Sequence, residues 1–196
     1  MRGVSLVELI VFIAIISVGL AGILGVMNLT TKASAQPLPQ KQALAIAEAY
    51  LEEVLAMPFT YCDPDDVNAG TAESTGAVNP ADPTRCATTL EAINAEGETR
   101  GSTTVPYDNV NDYNSFPSAA PSTIDNPGVT ITDLGSYNVS VAVVTEALTA
   151  GGVTVTANDA NTRPQSLRVT VTVTGPGNVT VRLDGYRTRY SPNALP

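Results

Sequence analysis

Chemistry in this chain would fall to carboxylates and two thiols. Its 196 residues include no histidine, which removes the usual general base, the proton shuttle and the commonest metal ligand. It has no glycine-rich phosphate loop ending in lysine and no serine elbow. Asp and Glu number 19 against 10 Lys and Arg, for a net charge of −9. A nucleic-acid binder needs a basic patch. The only lysines are Lys32 and Lys41, and no arginine cluster compensates, so no nucleic-acid partner is expected. Paired carboxylates occur only in turn-like stretches. Asp63, Asp65 and Asp66 with Asn68 invite a calcium reading, but their spacing does not match an EF-hand loop. A solvated turn is the simpler reading. The residues therefore point away from an enzyme and call for no cofactor.

Cys62 and Cys86 are the only cysteines. An exported chain with an even cysteine count suggests a disulfide. Closing that loop would stabilise the fold by roughly 3.5 kcal/mol in the chain-entropy model. Two free thiols are the alternative. A metal site is the weakest reading, since two sulfurs without histidine lack the usual ligand set.

One carboxylate stands apart. From Val4 to Met27 every residue is apolar or small except Glu8. The stretch is about 24 residues, or roughly 36 Å as a helix, enough to cross a bilayer core of ~30 Å. An acid inside such a helix is costly and marks a functional position. A secretory signal peptide has a shorter apolar core, although Ala33-Ser34-Ala35 mimics its cleavage site. A plain signal anchor has the right length but gives Glu8 no role.

Gly3-Val4-Ser5-Leu6-Val7-Glu8, running into the apolar helix, resembles the class III leader of type IV pilins and pseudopilins. Val4 stands where that family usually has Phe. The resemblance implies that residues 1–3 are a leader and that a prepilin peptidase cuts between Gly3 and Val4. The same enzyme would methylate the new α-amine of Val4. The chain would sit in the inner membrane by a single pass, with its C-terminal domain in the periplasm. It would then join other major and minor pilins in a surface filament. Glu8 has a physical role there, because a buried carboxylate needs a partner. The α-amine of Val4 on a neighbouring subunit can supply it and set axial register. The alternative is a Glu8 solvated at the headgroup level.

The elements that position these groups follow from periodicity. Within the apolar stretch, taken over 4–35, Ser17, Ala21 and Gly25 recur on one helical stripe. Small residues there permit close helix packing. An ordinary glycine-tolerant membrane helix explains them equally well. Gln36-Pro37-Leu38-Pro39 is expected to interrupt the helix, since residues before proline turn extended. The globular domain would span 36–196. A second helix is expected over 40–57, with Ala43, Ile46, Ala47, Tyr50, Leu51, Val54 and Met57 on one face. Glu48, Glu52 and Glu53 lie largely off that face. An irregular region follows over 58–134. Within it, the acidic and aromatic segment Tyr107–Asn114 either covers the sheet or faces a partner.

Over 135–190 apolar and polar residues alternate. Tyr137, Val139, Val141 and Val143 form one run, and Val153 with Val155 a second. Leu167, Val169, Val171 and Val173 form a third, and Val179, Val181 and Leu183 a fourth. Gly151-Gly152 and Gly175-Pro-Gly-Asn178 read as turns. The expected fold is α+β. A long N-terminal transmembrane helix continues into an amphipathic helix packed on a C-terminal antiparallel sheet of about four strands.

Lys41-Gln-Ala-Leu-Ala-Ile-Ala-Glu-Ala-Tyr-Leu-Glu-Glu-Val, Pro58-Phe-Thr-Tyr-Cys-Asp-Pro-Asp-Asp66 and Tyr107–Asn114 are similar to the MshD family of minor pilins of mannose-sensitive haemagglutinin (MSHA) pili. That likeness implies a subunit that initiates or caps a pilus. Minor pseudopilins of type II secretion share the leader and the Ala-Glu-xx-Leu-Glu-Glu segment. The machine therefore stays open between the two. A membrane-anchored domain whose acidic loops bind a ligand or ion is the third reading.

Overall fold

The computed structural model describes residues 5–35, 37–94, 97–116, 124–125, 129–131 and 134–193. Gly3 and Val4, the expected processing site, lie outside them.

Helix α1 spans Leu6–Ala35. Its stretch Leu6–Thr31 is long and apolar enough to cross a membrane, the one such helix among the described residues. Every side chain of that stretch is exposed. No described residue covers this apolar surface, so water is a poor solvent for it.

Helix α2 spans Pro37–Ala56, which corrects the expected start at Gln40. Pro37 and Pro39 do not precede the helix but open it. A proline in the first turn loses no hydrogen bond, because the first four N–H groups of a helix have no internal partner. The expected inner face holds. Ala43, Ala47, Tyr50 and Val54 are buried, with Ile46, Leu51 and Met57 packed beside them.

Two short strands, β1 (Ile124–Asp125) and β2 (Val129–Thr130), pair with each other. Strand β3 (Asn138–Thr145) leads into a hairpin of β4 (Leu148–Ala150) and β5 (Val153–Val155). Strands β6 (Ser166–Gly175) and β7 (Val179–Thr188) follow, joined by a 3-10 turn at Pro176–Asn178. The main sheet has three antiparallel strands in the order β3-β6-β7. This corrects the four-strand expectation. Val153 and Val155 alternate like sheet residues, yet both are exposed on the separate hairpin. Gly151 and Gly152 at its tip have φ of 59° and 82°, as a primed two-residue turn requires.

Val139, Val141, Val143, Leu167, Val169, Val171 and Val173 face inward, as their alternation predicts, and form the core with α2. Where α2 crosses β7, a Cβ on Gly185 would lie 2.9 Å from Leu55 Cδ1 and 3.0 Å from Leu51 Cδ1. Glycine there lets the helix sit close to the sheet.

The segment Tyr107–Asn114 covers rather than projects. A 3-10 turn at Val110–Tyr113 drives Val110 and Tyr113 into the core. It also shields the edge of β3. Val141 N donates to Phe116 O at 2.6 Å, and Val143 N donates to Asn114 Oδ1 at 3.0 Å. Open strand edges invite pairing with other chains, so a covered edge has a purpose.

Candidate functional site

Two regions hold the residues singled out above. The first is α1. Glu8 lies in its first turn and is exposed. Ser17, Ala21 and Gly25 share one exposed stripe. The Ser17 hydroxyl donates to Ile13 O at 2.7 Å, which leaves the stripe small and free of dangling polarity. A Cβ on Gly25 would meet nothing within 4 Å. The helix thus offers a close-approach surface that no described residue of this chain fills.

The second region is the loop domain beside the sheet. Cys62 and Cys86 are disulfide-bonded, with Cα atoms 5.4 Å apart, and both are fully buried with Ala69 and Ala72. The free-thiol alternative is thereby removed for the folded chain. Inside that loop, Asp66 and Asn68 serve the fold rather than a ligand. Asp66 Oδ1 accepts from the N–H of Asn68 and Ala87 at 2.8 and 3.0 Å. Its Oδ2 accepts from the N–H of Thr88 and Thr89 at 2.7 and 3.0 Å. Burial opposes its charge, but the N–H groups of Thr89, Ala87 and Thr88 outweigh it and hold the carboxyl well below the usual range. Asn68 Nδ2 donates to Arg85 O at 2.9 Å. The sequence-level calcium set of Asp63, Asp65, Asp66 and Asn68 is therefore split.

Its other half meets acids from a different loop. Oxygens of Asp63, Asp65 and Asp108 lie within 4.8 Å of one another, as do those of Glu98, Asp108 and Asp112. Asp112 is nearly fully buried, and its Oδ2 accepts from the N–H of Asp108 and Asn109 at 3.0 and 2.6 Å. Asp108 Oδ1 and Glu98 Oε2 are shielded from water and have no hydrogen-bond donor among the described residues. Crowded carboxylates of this kind hold protons. Burial, then the charges of Asp112, Asp63 and Asp65, pushes Asp108 up to about 7. Burial first, and neighbouring acids second, raises Glu98. Burial also raises Asp112 despite its backbone donors. An all-carboxylate set is chemically suited to a hard divalent cation. Glu98 had drawn no attention in the sequence. The turn Val110–Tyr113 and the Cys62–Cys86 loop bring these acids together, and neither placement is readable from spacing.

The cluster makes stability depend on pH in a definite direction. Unfolded Asp and Glu titrate near 3.9 and 4.3. With the folded values raised, the folded chain holds more protons above pH ~4, so stability falls as pH rises toward 7. Glu53 and Asp66, whose values are lowered, act in the opposite sense and only below pH ~4. Between pH 5 and 8 we expect the urea midpoint to drop by an amount worth roughly 1–2 kcal/mol, after allowing for water screening of half-exposed acids. The double change Asp108→Asn and Glu98→Gln flattens that slope; an unchanged slope would show that the cluster does not titrate as described.

A third cluster was missed because its partners lie far apart in sequence. Arg100 grips Glu53 of α2 with two bonds, Nε to Oε1 and Nη2 to Oε2, both 2.7 Å. The Tyr113 hydroxyl donates to the same Oε1 at 2.7 Å. The guanidinium lies 4.9 Å from the Tyr50 ring centroid. One signal was present: Arg100 is the lone cation between Arg85 and Arg163, within an acid-rich stretch. Glu53, expected off the packed face, is thus a half-buried anchor point.

Both regions define a chain of two parts, an uncovered apolar helix and a loop-rich α+β domain pinned by a disulfide and charge contacts. No family model, curated protein or solved structure matches it.

Proposed function

We propose that this chain is a minor type IV pilin of the MSHA type. In this reading it is cut after Gly3 and methylated at Val4 by a prepilin peptidase. It is held in the inner membrane by α1 with its domain in the periplasm, and is then built into a pilus. Its role is structural, to initiate or cap assembly, and not catalytic. The observation that carries the reading is α1 itself. An apolar helix with every side chain of Leu6–Thr31 exposed, and a single carboxylate in its first turn, runs into a second helix packed on an antiparallel sheet. Such a helix needs lipid before assembly and other pilin helices after it. Glu8 needs a cation at the same depth, and the Val4 α-amine of a neighbour is the group the leader cut would create.

The minor pseudopilin of a type II secretion system shares this mechanics and remains the closest alternative. A membrane-anchored ligand-binding domain is favoured only by the convergence of Asp63, Asp65 and Asp108. Mass spectrometry of the N-terminal peptide, from sheared surface filaments and from membranes, separates the three. Methylated Val4 in both fractions is the expected result. Methylated Val4 confined to the envelope favours the pseudopilin, and an intact Met1 favours the anchored binding domain. In the same preparation, Glu8→Val is expected to leave membrane insertion and cleavage intact while reducing filament incorporation at least tenfold. Normal incorporation would remove the pairing role from Glu8.

A further inference from the structure

We propose that the base of the domain, around Lys41, Leu44 and Val181, rests on the anionic phospholipid headgroups of the bilayer that α1 spans. The inference builds on the reading of α1 as a membrane anchor and concerns the state before assembly. Three observations converge on it.

The first is charge. Lys32 and Lys41 are the only lysines, and the first acid after Glu8 is Glu48. The stretch between holds two cations and no anion, in a chain of net charge −9. An acidic domain is repelled by an anionic surface unless it presents its cations there. Most of the domain's arginines are committed elsewhere. Arg85, Arg100, Arg168 and Arg182 pair with carboxylates, and Arg189 stacks on Phe59 and Tyr61. Among the described residues, no carboxylate lies within ion-pair distance of Lys41.

The second is shape. Lys41 lines an open groove of about 380 Å³ with Gln40, Leu44 and Val181, where the start of α2 meets the start of β7. Leu44 and Leu38, three residues to either side of Lys41, are 39% and 63% exposed. A cation beside exposed leucines and an apolar groove matches an amphiphile with an anionic head. Lysine suits such a place because its stem packs on apolar surface while the ammonium reaches the head.

The third is length. The apolar stretch Leu6–Thr31 has 26 residues. That is ~39 Å at helical rise, against a core of ~30 Å, and tilts of up to ~40° absorb such an excess. A tilted anchor brings one side of the domain down toward the headgroups, and Lys41 selects which side that is. Lys41 is only ten residues past Thr31 and is the first cation of the domain along the chain.

The test uses the full chain in nanodiscs of phosphatidylcholine alone or with about one third phosphatidylglycerol. A neutral amine-acylating reagent is added, and mass spectrometry gives the acylation rate of Lys41. Headgroup contact is expected to slow that rate about fivefold in the anionic discs, with recovery at 0.6 M salt. Leu44→Glu, an exposed change that the fold tolerates, is expected to abolish the difference. Equal rates in both discs, with the chain still resistant to carbonate extraction, would overturn this inference alone. Release of the chain by carbonate would overturn the anchor reading, and this inference with it.

Discussion

Asp66→Ala is expected to lower the stability of the chain by about 3 kcal/mol and its melting temperature by roughly 10 °C. The carboxylate is the hub of the Cys62–Cys86 loop. It accepts four backbone N–H bonds, from Asn68, Ala87, Thr88 and Thr89, and is only 7% exposed. Alanine leaves those donors facing each other without an acceptor, and an unsatisfied shielded donor costs about 1–3 kcal/mol. The sum stays below four times that figure because the loop can relax toward water. Asp66→Asn keeps the shape but turns one of the two accepting oxygens into an NH2 donor, so it keeps only two of the four backbone bonds and at least half the effect is expected. Chemical denaturation of the full chain in detergent, followed by near-ultraviolet circular dichroism, checks both. A loss under 0.5 kcal/mol for alanine would mean that the disulfide alone organises the loop. Acid gives a second check. With the folded value of Asp66 lowered, its contribution is present above pH ~4 and lost as pH falls further.

Arg100→Ala is expected to cost about 2–3 kcal/mol and to detach the segment 97–116 from α2. Removing the guanidinium strands the Glu53 carboxylate, whose side chain is only 27% exposed, and takes the cation off the Tyr50 ring. Breaking one side of a buried pair exceeds the worth of the pair, because the remaining charge stays desolvated. The double change Arg100→Met with Glu53→Gln should therefore recover much of the loss. Hydrogen exchange across Val110–Tyr113 gives the readout, since that turn also covers the edge of β3. Unaltered protection in Arg100→Ala would show that Tyr113 and Phe116 hold the segment by packing alone.

Local rules made much of this chain legible. Period-two alternation marked β3 and β6 because a sheet with one buried face repeats every second residue. The 3.6-residue period marked the inner face of α2, from Ala43 to Val54, for the corresponding reason. The same alternation misled at Val153 and Val155. Alternation reports a strand but not which sheet it joins, and these two valines lie exposed on a hairpin. Pro37 and Pro39 misled through a real preference, that of the preceding residue for extended backbone, whereas a helix tolerates proline in its opening turn. Segment 107–114 could be recognised as distinct but not placed, since acids and aromatics suit an interface and a covered edge alike.

By itself the sequence determined the long apolar helix with its one carboxylate, the α+β class and the absence of histidine chemistry; it suggested the Cys62–Cys86 bond, which the structure then formed. Each of these depends on composition or on neighbours along the chain. Only the tertiary structure decided which acids stay together. Asp66 turned into its own loop to satisfy backbone donors, while Asp63 and Asp65 met Asp108, and Arg100 reached back to Glu53. Such contacts depend on how loops close in space. Closure is set by the disulfide, the 3-10 turn and the covered sheet edge acting together, and none of these leaves a period in the sequence.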